Sequence, residues 1–111
     1  MGISSDGIVA WGYDLGDPEE WDFELDEDKL DELSDTKPVR LELHCSYEYP
    51  MYFVTISESV ISAARGYPKV FDPYIAEGRY EEWEGELAEF ARENDLPAPE
   101  NVGWFVFSLY G

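Results

Sequence analysis

The sequence predicts an α+β domain: a four- to five-stranded, mainly antiparallel sheet packed by one long C-terminal amphipathic helix, with a short acidic helix near 26–34. Three observations carry this. Residues 39–57 hold two β-type runs around a tyrosine-rich turn that ends in Pro50. Ala76, Tyr80, Trp83, Leu87, Phe90 and Ala91 recur at steps of three, four and one, the spacing of one buried helix face. Apolar, β-rich stretches at 8–13 and 104–110 supply strands near each end.

In chain order, Ser4-Ser5-Asp6-Gly7 reads as a turn. Ile8 to Tyr13 is a strand, with Gly12 marking a bulge or a close backbone neighbour, and Asp14 to Pro18 closes it. Trp21, Phe23 and Leu25 alternate with acids, as an extended edge piece would, and Leu30 and Leu33 suit a short helix capped by Asp26. Val39, Leu41, Leu43 and Cys45 alternate with Arg40, Glu42 and His44, the period of a half-buried strand. Met51 to Ile56 is apolar on both faces, as in a central strand. Residues 57–65 fit a short strand or a helical turn, and 66–68 a turn. Asp72-Pro73 has the form of a helix start, so the helix is predicted over 73–94, with Gly78 as a point of breakage and Asn94 to Pro99 as its stop. Trp104 to Tyr110 is apolar on both faces and is expected to dock centrally in the sheet.

The 111 residues make one domain, 1–111, dense in aromatics (four Trp, eight Tyr, six Phe), so a small core without staples is expected. Cys45 is the only cysteine, which excludes an internal disulfide and suits a reduced compartment. No leader with a basic and then an apolar region opens the chain, and no apolar run approaches a membrane span. A cytoplasmic protein is the expectation, in the host cytoplasm if the gene belongs to a phage.

Charge is the outlier. Twenty-six Asp and Glu against seven Lys and Arg give −19, far beyond what solubility asks of a small domain. Direct binding of nucleic acid needs a basic stripe, and anionic membranes repel such a chain, so neither is an expected partner. The expected partner is a basic protein surface.

Catalytic and metal chemistry find little footing. His44 and Cys45 are the sole His and Cys, but neighbours in a strand point to opposite faces and cannot act as a dyad; Cys45 reads as a core thiol. One His and one Cys cannot build a zinc site. Asp22, Glu24, Asp26 and Asp28 recur at alternate positions, yet the central Gly and terminal Glu of a calcium loop are missing. Among so many acids, carboxylate pairs suited to hydrolysis arise by chance, and no phosphate-cradling loop or Gly-x-Ser-x-Gly elbow occurs. No catalytic residue, metal or cofactor is therefore assigned.

What remains is a field of acids. Asp17 to Asp35 holds eleven acids and one Lys, and the predicted helix adds Glu77, Glu81, Glu82, Glu84, Glu86, Glu89 and Glu93 away from its apolar stripe. If both lie on one side, they form an array like the phosphates of DNA, offered to a basic groove. The residues expected to bind a partner are Asp22, Glu24, Asp26, Glu27, Asp28, Asp31, Glu32, Glu82, Glu86, Glu89 and Glu93, with Tyr47 and Tyr49 as anchors. Tyr47, Tyr49, Tyr52, Tyr67, Phe71 and Tyr74 read as one aromatic cluster around the central turns.

Several stretches carry a resemblance. These are Met1-Gly2-Ile3-Ser4-Ser5-Asp6-Gly7-Ile8 with Gly12-Tyr13-Asp14-Leu15-Gly16, His44-Cys45-Ser46 with Tyr49-Pro50-Met51-Tyr52, Arg65-Gly66-Tyr67-Pro68, and Gly103-Trp104 with a Ser108-Leu109-Tyr110-Gly111 end. Together they cover less than half of the chain and resemble a family of small uncharacterised proteins found in actinobacteria and their bacteriophages. The resemblance implies an accessory protein and carries over no activity. The functional expectation is a non-enzymatic acidic binding protein, a phage accessory protein that engages a basic surface of a host or defence nucleic-acid-handling protein as a DNA mimic. The alternatives are an immunity- or antitoxin-like inhibitor of a basic toxin, and a small hydrolase using carboxylates and a divalent ion.

Overall fold

The computed structural model describes residues 5–110. Five strands and two helices follow in the order β1 (Ser5–Gly16), α1 (Glu27–Leu33), β2 (Val39–Ser46), β3 (Pro50–Ile56), β4 (Ile61–Ala64), α2 (Tyr80–Glu93) and β5 (Gly103–Tyr110). The fold is α+β, with a five-stranded mixed sheet in the order β3-β2-β5-β1-β4. Because β3 also pairs with β1, the strands β1, β5, β2 and β3 form a ring, and the sheet curls almost into a barrel. All ladders are antiparallel except a short parallel one, Cys45 and Ser46 against Leu109 and Tyr110.

The long strand β1 organises this curl. One edge pairs with β5 from Ser5 to Gly12; the other pairs with β4 through Asp6–Val9, then with β3 from Gly12 onward. Where β3 leaves and β4 begins, a 3-10 turn at Ser57–Ser59 interrupts the ladder. Two buried hydroxyls take over there. The Trp11 N–H donates to Ser59 Oγ at 3.0 Å, and Thr55 Oγ1 donates to the Trp11 carbonyl at 2.8 Å. Neither backbone group of Trp11 is left unpaired inside the protein. Gly12 is the close neighbour its type suggested: a Cβ there would stand 1.8 Å from the Val54 carbonyl oxygen.

One face of the sheet packs against the helices through Trp11, Tyr13, Leu41, Val54 and Ile56, which meet Leu33 of α1 and Trp83, Leu87, Phe90 and Ala91 of α2. The concave face holds a smaller aromatic cluster, Phe53 against Phe105 at 4.9 Å and Phe107 at 5.0 Å. Met51–Ile56 thus has two apolar environments, which is why both its faces are apolar.

Several expectations need correction. The long C-terminal helix over 73–94 is not present: α2 has 14 residues, lies mid-chain and is followed by β5. Asp72 does cap a helical start, its carboxylate accepting the Tyr74 N–H at 2.9 Å, but that start is a 3-10 turn over Pro73–Ala76. Gly78 then takes a φ of 77°, a left-handed conformation that ends one helical segment before the next begins. Ser5–Gly7 is strand rather than turn; residues 1–4 of the opening motif lie outside the described residues. Residues 21–26 form no ladder, yet Trp21, Phe23 and Leu25 are half-buried while Asp22, Glu24 and Asp26 are exposed. Strand β5 is not covered on both faces, since Val106, Ser108 and Tyr110 are exposed.

Candidate protein-binding surface

The acids are displayed by the way each helix buries its apolar side. In α1, Asp26 caps the first turn by accepting the Lys29 N–H at 2.8 Å, and Glu27 and Asp28 sit where the helix dipole favours negative charge. Leu30 and Leu33 turn inward, which leaves Glu27, Asp28, Asp31 and Glu32 exposed. In α2, burial of Trp83, Leu87, Phe90 and Ala91 leaves Glu81, Glu82, Glu84, Glu89 and Glu93 exposed and Glu86 half-buried.

Where the two helices approach each other they border a groove of about 380 Å³. Glu32 and residues 36–39 line one side, Glu86, Glu89 and Glu93 the other, with Leu33 and Phe90 between them. Among the described residues, Lys37 is the only cation lining it. Partial burial pushes the Glu86 carboxyl up, and the charges of Glu82, Glu58 and Glu89 add to this against the pull of Arg79. Burial also raises the Tyr52 hydroxyl, with Asp31 and Glu27 contributing. Acids from two distant parts of the chain therefore share one surface. Because α2 has only 14 residues, its whole length is about 21 Å at 1.5 Å per residue, and its acids in the groove, Glu86 to Glu93, span about 11 Å of it.

The other expected partner-binding residues are placed elsewhere. Asp22 lines a cleft with Asp14, Glu20 and Glu100, while Glu24 and Asp26 rim a shallow hollow over Trp21 and Phe23. Tyr47 and Tyr49 are 67% and 71% exposed at the β2–β3 turn, and Tyr49 borders Asp17 and Glu19. The length of β2, roughly 23 Å at about 3.3 Å per residue, separates them from the helical groove. The single aromatic cluster is also divided: Tyr52 tilts against Trp21 at 6.0 Å, whereas Phe71 meets Trp104 edge-on at 5.1 Å.

One polar contact was not legible in the sequence. His44 Nε2 lies 2.9 Å from Asp14 Oδ1, and the imidazole packs 5.1 Å from Phe107. Burial pushes the Asp14 carboxyl up, but the bonds from His44 and the Gly16 N–H, with the charge of His44, hold it below its usual value. No local spacing links two positions thirty residues apart on different strands. Cys45 is not a core thiol: it is half-buried, with a φ of 70° where β2 meets β5. Among the described residues, no three His, Cys, Asp or Glu side chains gather to hold a metal ion, and no helix is long and apolar enough to cross a membrane. No protein-family model, curated protein or solved structure matches the chain.

Proposed function

We propose that this chain is a non-enzymatic acidic binding protein, an accessory protein of the phage kind that occupies a basic surface on a nucleic-acid-handling protein of a host or a defence system. The observation that supports this reading is the meeting of Glu32 with Glu86, Glu89 and Glu93 along one groove. Carboxylates held by two helices keep a fixed spacing, and a partner shaped for phosphates meets them without first ordering them. A chain of −19 also draws a cationic partner over distances set by ionic strength.

The test is a titration against purified basic nucleic-acid-binding proteins of an actinobacterial host, with a short DNA duplex as competitor. A true target loses affinity by about tenfold or more as salt rises from roughly 50 to 200 mM, because the attraction is between charges. The duplex displaces the chain, and Glu86→Gln with Glu89→Gln and Glu93→Gln weakens binding to the same target. Affinity indifferent to salt and to these three substitutions would remove the reading.

A further inference from the structure

Helix α2 spans only about 21 Å and covers the sheet over the second half of β1, leaving the first half bare on the same side. Register identifies the bare part. Val9 lies opposite Ile61 on β4 and Val106 on β5, and Gly7 opposite Ala63 and Ser108, whereas Trp11, opposite Trp104, already lies in the core; of these, Val9, Ile61 and Ala63 are half-buried and Gly7, Val106 and Ser108 exposed. In each strand these positions share one side. No charged residue stands on it, in a chain with 26 acids. Val106 is 82% exposed, and Tyr110, next on the same side of β5 after Ser108, is 56% exposed.

The rim continues this character. Phe71 packs on Trp104, and the Trp104 indole N–H donates to Tyr80 Oη at 3.0 Å, so two exposed aromatics border the bare sheet. The segment from Val60 to Tyr80, which includes β4 and this rim, has Arg65, Lys69 and Arg79 against Asp72 and Glu77, a net +1.

We propose that a second copy of this chain covers the bare face in an isologous dimer, with the two sheets stacked across Val106. Charge selects this occupant. Two chains of −19 repel wherever acid meets acid, and this uncharged face with its cationic rim is where they can touch. The contact is a small one. Phe71, Tyr80 and Tyr110 are 39%, 41% and 56% exposed, so at about 150–250 Å² for a whole aromatic side chain they offer on the order of 200–340 Å² beside Val106, below the ~800 Å² per partner of a standard interface and in keeping with a weak dimer. The groove between α1 and α2 shares no lining residue with this face, so each copy keeps its acidic surface free.

Sedimentation equilibrium of the full chain over a wide concentration range, at about 0.02 and 0.5 M salt, tests this. The expected result is a dimer whose Kd tightens about tenfold at the higher salt, because screening removes repulsion between the two chains. Val106→Glu weakens the dimer at least about tenfold with an unchanged circular dichroism spectrum, since the residue is exposed and its loss leaves the core intact. Ile61→Glu does the same from the other edge of the face, whereas Glu89→Gln does not weaken it. A monomer under all conditions, a dimer that loosens as salt rises, or one indifferent to both substitutions overturns the proposal. Because salt acts here opposite to its effect on a basic partner, failure of this dimer is distinguishable from failure of the proposed function.

Discussion

The backbone of Gly12 in β1 runs so close beneath the Val54 carbonyl of β3 that a Cβ at Gly12 would stand 1.8 Å from the carbonyl oxygen and 2.9 Å from the Thr55 Cα. Those obstacles are backbone atoms and cannot rotate away. Gly12→Ala must therefore part β1 from β3 at the crossing that curls the sheet. The expected cost is about 3 kcal/mol, the upper part of the usual range for overpacking. Urea unfolding followed by tryptophan fluorescence measures it, and an unchanged midpoint would mean that the strands do not cross so closely.

The contact of Asp14 with His44 sets an acid-side dependence. Burial raises the Asp14 carboxyl, but its bonds to His44 and the Gly16 N–H prevail, and its folded value lies below the unfolded one. A lowered carboxylate stabilises the fold above its unfolded value, near 4, and that stability is lost as pH falls through the folded value. His44→Ala raises the Asp14 value toward the ordinary range and reduces this acid-side slope. Carboxyl carbon shifts of Asp14 across an acid titration report the change; an identical titration in the variant would show that His44 does not hold it.

Tyr13 carries the alkaline counterpart. Its hydroxyl donates to the Pro97 carbonyl at 2.9 Å, and burial pushes it up to about 12. The folded chain keeps this proton where the unfolded chain loses it. The contribution is full below about 10 and disappears as pH rises through about 12. Tyr13→Phe removes that dependence and costs about 1 kcal/mol at neutral pH, the worth of one hydrogen bond. Stability measured from pH 8 to about 12 separates the two effects, since the wild-type curve falls toward that of the variant and crosses below it as pH rises.

Glu86 opposes stability with binding. Burial raises its carboxyl first and Glu82 next, so its charge is disfavoured in the folded chain. Glu86→Gln is expected to raise stability by a few tenths of a kcal/mol, as relief of a like-charge pair on a helix does. The same substitution weakens attachment of a basic partner at the groove. A variant that is both less stable and equally adhesive would place the functional acids elsewhere.

Local chemistry was legible where a residue's conformation depends on its neighbours in the chain. Asp26 caps α1, Asp72 caps a helical turn, and Trp83, Leu87, Phe90 and Ala91 form the buried side of α2, all from spacing and cap type. The hairpin of β2 and β3 followed from alternation and a short turn. Gly78 shows the limit. Its residue type marked a point of breakage, but only the folded chain gives it a φ of 77° and shortens the helix to 14 residues.

The candidate surface divides in the same way. That Glu86, Glu89 and Glu93 face solvent follows from helical periodicity, and the net charge of −19 dictates the sign of a partner. That Glu32 joins them depends on how α1 and α2 pack over one sheet, and that Tyr47 and Tyr49 sit a strand's length away depends on where β2 ends. Likewise the apolar residues of β5 announced a strand, but how much of one side α2 covers and how much it leaves open was decided by the curl of β1 between β5 and its two partners on the other edge. The physical reason is the range of the forces involved. Backbone hydrogen bonding and side-chain direction repeat over two to four residues and are written locally. Closure of the sheet brings Asp14 on β1 against His44 on β2, two strands that do not pair with each other, only after the chain has closed loops of tens of residues, and no local pattern encodes that closure.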